Sequence, residues 1–156
     1  EDSTDHLWMD SLGIGPETRV ATVGLFRPLM KDFSDRGALV EVLDDFQGVG
    51  EAGSFYRKLE DWAEVLVLTS TSILNDTTEE IIGCLAPGVR VIMIGPSTPM
   101  VAEAFKHLPV HFLAGTVPVD KEGVLSAIRH GAGTPVIHRF SRKACLHLNC
   151  RKATAS

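Results

Sequence analysis

Five short apolar runs recur along this chain, and each is followed by a stretch with helical spacing. They are Arg19–Leu25, Ala38–Leu43, Glu64–Thr69, Val89–Ile94 and Val110–Ala114. The runs are rich in Val, Leu and Ile and show little polar alternation, so a strand built from them is buried on both faces. Strands of that kind, separated by helices, imply a parallel sheet with right-handed crossovers and a helical layer on each side. The expected fold is therefore α/β: a Rossmann-like, doubly wound and mainly parallel sheet of five or six strands. Residues 1–138 would form one domain, with a helix within 1–15 packed on it. Val136-Ile137-His138 is a candidate short edge strand, and residues 139–156 read as a basic tail carrying Cys and His.

Helix signals fit between the runs. Leu7, Trp8 and Leu12 can share one face of a helix that Gly13 ends. Phe26–Arg36, Phe55–Trp62 and Thr77–Leu85 fill the next gaps, and Asp120 is placed to cap a helix reaching Arg129 or His130. After the fourth run, Gly95-Pro96-Ser97-Thr98-Pro99-Met100 reads as a strand-to-helix turn. Thr98 would be its N-cap, with Pro99 at the first position of a helix to His107.

Charge and cysteine usage exclude several classes. All 20 acidic residues precede position 123, so residues 1–138 hold ten basic and twenty acidic side chains. Such a body is a poor nucleic-acid surface. Arg139, Arg142, Lys143, Arg151 and Lys152 make the last segment basic. No apolar run approaches the roughly 20 residues of a membrane span. Three cysteines, an odd number, do not suggest a disulfide framework. Cytoplasm is the default location.

Ligands of doubly wound sheets gather at the carboxyl ends of the strands. Read in order, those ends supply Gly24 and Phe26, Asp44, Thr69, Ser70, Thr71 and Asn75, then Gly95, Ser97 and Thr98, then Gly115 and Thr116. The set is rich in hydroxyls and glycines and poor in His, Cys and Lys. It suits hydrogen bonding to a small anionic molecule or a metal chelate, and it offers no nucleophile–base pair. Asp44 lies about 20 residues beyond the first turn, as a ribose-binding acid would. However, Gly24-Leu25-Phe26-Arg27-Pro28-Leu29 has one glycine where a dinucleotide fingerprint needs three, which argues against NAD or FAD. Cys145, His147 and Cys150 fall within six positions and could hold a thiophilic heavy-metal ion, given a fourth ligand from elsewhere.

The blocks Val20-Ala21-Thr22-Val23-Gly24-Leu25-Phe26, Thr69-Ser70-Thr71-Ser72-Ile73-Leu74-Asn75-Asp76-Thr77, Ile94-Gly95-Pro96-Ser97-Thr98-Pro99-Met100 and Leu113-Ala114-Gly115-Thr116-Val117 occur in a telling order. Over residues 5–137 the chain resembles the Rossmann-like domain of a prokaryotic family of unknown function described as heavy-metal chelation. The resemblance implies a Rossmann-like sheet. It also implies a cleft shared with an enolase-N-terminus-like domain, which these residues do not contain. That domain, a partner chain or a second copy would then complete the site.

Two functions follow as expectations. One is a small-ligand-binding domain with its site at the strand ends. The other is part of an enzyme, a transferase or lyase acting on a nucleotide-like or amino-acid-derived substrate.

Overall fold

The computed structural model describes residues 3–148. One six-stranded sheet runs through it. Its strands are β1 (Arg19–Val23), β2 (Leu39–Leu43), β3 (Val65–Thr69), β4 (Arg90–Ile94), β5 (Phe112–Pro118) and β6 (Ser141–His147). Their spatial order is β2-β1-β3-β4-β5-β6. Neighbours from β2 to β5 pair in parallel, and β6 pairs antiparallel with β5, Ala114 facing Cys145 and Thr116 facing Lys143. The order 2-1-3-4-5 of the parallel strands reverses direction between β1 and β3, the arrangement of flavodoxin-like doubly wound sheets.

Alternate residues of the central strands feed two cores. Leu66 and Leu68 of β3, Val91 and Met93 of β4 and Leu113 of β5 face one side. There they meet Phe55 and Leu59 of α3 (Ala52–Asp61) and Ile81 and Ile82 of α5 (Thr78–Gly83). Val20, Val65, Val67, Ile92 and Phe112 face the other. There they meet Trp8, Met9 and Leu12, from α1 (Ser3–Ser11) and the turn after it, and Leu29 and Phe33 of α2 (Arg27–Asp35). Trp8 and Phe33 make an edge-to-face pair at 6.3 Å between ring centroids. Each fully buried side chain of this size contributes about 1.5–3 kcal/mol relative to exposure. The guanidinium of Arg90 on β4 donates to the carbonyl of Leu12 and fixes the turn after α1 on the sheet.

Three expectations are corrected. Residues 141–147 do not begin a tail; they form the edge strand β6. The segment expected as an edge strand is instead α7 (Thr134–Ile137) running into a 3-10 turn, His138–Phe140. Charged Arg142 and Lys143 on an outermost strand fit the way natural sheets discourage edge-to-edge pairing. The helix expected from Val101 to His107 is a single 3-10 turn, Ala102–Phe105, with Val101 at its start and no side-chain cap. Thr98 therefore caps nothing. Its side chain is 5% exposed and packs under Gly115, and its hydroxyl has no partner among the described residues. The β3 end runs through Ser70 straight into a one-turn helix, α4 (Thr71–Leu74). The Asp120 cap is as expected: its carboxylate accepts the N–H of Gly123 at the start of α6 (Lys121–Arg129). No helix among the described residues is long and apolar enough to cross a membrane.

Candidate functional site

Because the chain leaves β1 toward one side and β3 toward the other, the loops after these two strands diverge and open a cleft between them. The cleft has a volume of about 400 Å³. Val23, Gly24, Leu25 and Phe26 form one wall, and Thr69, Thr71, Ser72, Asn75 and Thr77 the opposite one. The loop after β2 contributes Asp44, Asp45 and Phe46, and Tyr56 of α3 and Ile81 of α5 close the base.

The polar groups of this cleft are mostly neutral. Thr69 and Thr71 share a hydroxyl–hydroxyl hydrogen bond of 3.0 Å, and the Thr71 N–H leans on Thr69 Oγ1 at 3.4 Å. The Asn75 side-chain amide has no hydrogen-bond partner among the described residues, and it is exposed where α4 ends. Asp76, with φ 56°, turns the chain away immediately after it. Ser72 is spent on structure: its hydroxyl pairs with Thr78 in a buried 2.8 Å contact. Burial pushes the phenol of Tyr56 above its ordinary range, with Glu80, Cys84 and Asp45 adding to the shift, so it stays a neutral donor.

Asp44 is committed to its own loop rather than free to take a proton. Its Oδ2 accepts the backbone N–H of Leu25 at 2.8 Å and the Gln47 side-chain amide at 3.0 Å, and its Oδ1 accepts the Gln47 N–H at 2.9 Å. Burial alone would raise its carboxyl, but these N–H donors outweigh burial and hold it below the usual carboxylate range. The same loop is closed by paired backbone bonds between Asp44 and Val49. It carries Phe46 wholly exposed at the rim of the cleft.

The strand-end residues named from sequence do not form one site. Gly24, Phe26, Asp44, Thr69, Thr71 and Asn75 line the cleft. Phe26, Gly95, Gly115 and Thr116 line a second, smaller cavity on the opposite face of the sheet. Ser70, Ser97 and Thr98 line neither. Ser70 is buried, and its hydroxyl bridges to that of exposed Ser97 at 3.0 Å. Phe46, Tyr56 and Thr77 were not anticipated. Phe46 sits in a loop whose position depends on strand order, and Tyr56 lies on a helix rather than at a strand end.

A direct metal site of protein ligands does not fit what is described. Nowhere among the described residues do three His, Cys, Asp or Glu side chains converge. Cys145 and His147 share one face of β6, and the His147 ring stacks on Phe112 at 4.6 Å. Cys150, the third member of the expected set, lies outside the described residues.

A mostly parallel sheet with helices on both faces, and a cleft at its switch point, defines a doubly wound α/β domain. The chain belongs to the DUF364 family, whose description reads "Putative heavy-metal chelation"; the match covers residues 7–147. A solved protein of unknown function from this family, from Pyrococcus horikoshii, is similar in fold with a TM-score of 0.75 at 18% identity. That match covers 84% of this chain and 54% of the other. Another from Desulfitobacterium hafniense DCB-2 gives 0.72 at 19% identity, covering 88% of this chain and 55% of the other. The chain thus spans little more than half the length of either structure. The search of curated proteins returned no match.

Proposed function

We propose that the switch-point cleft binds a small organic ligand, with a metal chelate as the form that the family description favours. The observation that carries this reading is the lining. Thr69, Thr71 and Asn75 offer neutral donors and acceptors, Asp44 and Asp45 supply negative charge, and no Lys, Arg or His is among the lining residues. Such a set suits a ligand that brings its own cation rather than a bare anion, which the carboxylates would repel. Phe26, Phe46 and Tyr56 add apolar surface for a flat portion of the ligand.

The test is native mass spectrometry of the untagged protein, gently desalted, against its denatured mass. An organic adduct, with or without a metal-sized increment, is expected. It should be lost in Thr69→Val combined with Asn75→Leu and retained in Ser97→Ala. An adduct that survives the double substitution, or a bare mass, overturns the reading.

A second reading is favoured by one observation. Phe46 at the cleft and Ile73 and Leu74 of α4 are exposed, and the match to this chain covers only 54% and 55% of the two solved family members. On this reading the cleft is half of an enzyme site, acting as a transferase or lyase on a nucleotide-like or amino-acid-derived substrate. An enolase-N-terminus-like domain, a partner chain or a second copy would cover these apolar side chains. Turnover that appears only when that second part is supplied would support it.

A further inference from the structure

Asp44 and Asp45 are the charged residues that line the switch-point cleft, and they stand in different circumstances. Asp44 accepts three N–H bonds, all from neutral donors, which fix its place without cancelling its charge. Asp45 is exposed, and its carboxylate has no hydrogen bond or ion pair among the described residues. Basic side chains on the surrounding elements are engaged elsewhere. Arg27 of α2 donates to Gln47 Oε1 at 3.4 Å, Arg57 of α3 donates to the carbonyl of Gly53 at 3.2 Å, and Lys58 pairs with Glu41 of β2. None of the three lines the cleft. Burial first, then Glu80, Cys84 and Asp45, keep the Tyr56 phenol protonated, which sets the Asp45 carboxylate near that ring.

The walls add aromatic surface. A Cβ on Gly24 would stand 3.2 Å from Thr69 Cβ and 3.3 Å from the Phe26 ring, so that ring and the threonine adjoin across Gly24. Phe46 follows Asp45 in the loop after β2, and Tyr56 lines the cleft from α3. An aromatic face carries partial negative charge. Three rings and two carboxylates therefore present one sign of potential to the space between them.

We infer that this cleft selects a small organic cation with a planar body, of the aromatic ammonium class. The inference rests on the proposal that the cleft binds a small organic ligand, and it adds the sign of that ligand's charge. The volume of about 400 Å³ lies within the roughly 300–1,000 Å³ of small-molecule sites and takes one ring with a short charged arm. The flat portion packs on the aromatic rings, and the ammonium faces Asp45. The hydroxyls of Thr69 and Thr71 and the amide oxygen of Asn75 are acceptors for its other N–H groups. A carboxylate or phosphate in the same place would meet repulsion and no lining cation.

Benzylammonium, benzyl alcohol and benzoate carry the same ring and differ in charge. Each is titrated into the full chain at low salt and neutral pH and followed by amide shifts in a nitrogen-15 correlation spectrum. Benzylammonium is expected to saturate shifts at Gly24, Leu25, Thr69 and Thr71 at the lowest concentration, and benzoate at the highest. Asp45→Asn should weaken benzylammonium about fivefold, the scale of a partly screened ion pair, and leave benzyl alcohol unchanged. Asp45→Glu should retain benzylammonium binding. Equal affinity of the three probes in the cleft overturns the charge selection while leaving the cleft a ligand site. Shifts that do not saturate overturn the inference, as do shifts centred on Gly95 and Gly115, at the smaller cavity that Lys143 and His138 also line. Failure of the cleft reading itself is a separate result: a bare native mass, or an adduct that survives Thr69→Val with Asn75→Leu.

Discussion

Asp44 Oδ2 accepts the backbone N–H of Leu25 at 2.8 Å and so ties the loop after β2 to the turn after β1, nineteen positions earlier. This bond, with those to Gln47, holds the two loops that frame the cleft. Asp44→Ala should therefore cost about 1–2 kcal/mol, the scale of lost charge-assisted hydrogen bonds at a partly exposed site. The pH dependence has a definite sign. The folded carboxyl lies below its ordinary value of 3.8, so the unfolded chain takes up the proton first. The contribution is complete above that value and is lost as pH falls through the folded one. Urea midpoints of wild type and Asp44→Ala, compared at about pH 5 and about pH 3, should converge at the lower pH.

Gly95 is the tightest backbone position near the strand ends. Its φ is +150°, and a Cβ there would lie 2.2 Å from Ser70 Oγ. Gly95→Ala should destabilise the protein by about 3 kcal/mol, from strain and overlap together. Adding Ser70→Ala removes the overlap but not the strain, so the double variant should recover part of the loss. Thermal midpoints of the two variants separate the contributions; an unchanged midpoint in Gly95→Ala would show that β4 ends differently.

The centre of the sheet was readable because its inner strands are buried on both faces and so appear as uninterrupted apolar runs. β6 was not. Ser141, Arg142 and Lys143 carry the polarity of an outermost strand, which in sequence looks like a solvated terminus. The turn after β4 misled for a local reason: Thr98 and Pro99 have the pattern of a helix start, but the Thr98 side chain is buried beneath Gly115. The site was half legible. Residue types at each strand end could be collected in order, yet which ends face one another depends on the order 2-1-3-4-5, and that is set by long-range packing. Hence one list became two cavities. Phe46 and Tyr56 joined the cleft, Lys143 and His138 joined the cavity, and Ser70, Ser97 and Thr98 line neither.

His111 should make the fold sensitive to mild acid. The N–H of Val91 donates to its Nδ1 at 3.0 Å, so the ring proton sits on Nε2 and the ring is neutral. Burial depresses its pKa below the ordinary 6.5, and the nearby charges of His147 and Arg90 add to this, while a backbone contact at Pro109 opposes it. The unfolded chain then binds more protons than the folded one as pH drops below 6.5, and stability falls with it. His111→Gln should be less stable at neutral pH and show a shallower loss between about pH 7 and pH 5. A parallel slope in the two proteins would assign the acid sensitivity to other groups.

Phe46 separates display from support. The side chain is 100% exposed, and the bonds between Asp44, Gln47 and Val49 hold its loop without it. Phe46→Ala should leave the unfolding midpoint within about 0.5 kcal/mol of wild type, as surface substitutions usually do. The same change removes an aromatic face from the rim of the cleft. A ligand with a planar portion should therefore be held more weakly, and the fraction of protein carrying the adduct in a native mass spectrum should fall. Phe46→Tyr keeps the face and should restore that fraction. If Phe46→Ala retains the adduct in full while the Thr69→Val and Asn75→Leu pair loses it, the ligand sits deep in the cleft, and the exposed ring serves the second part of a larger site.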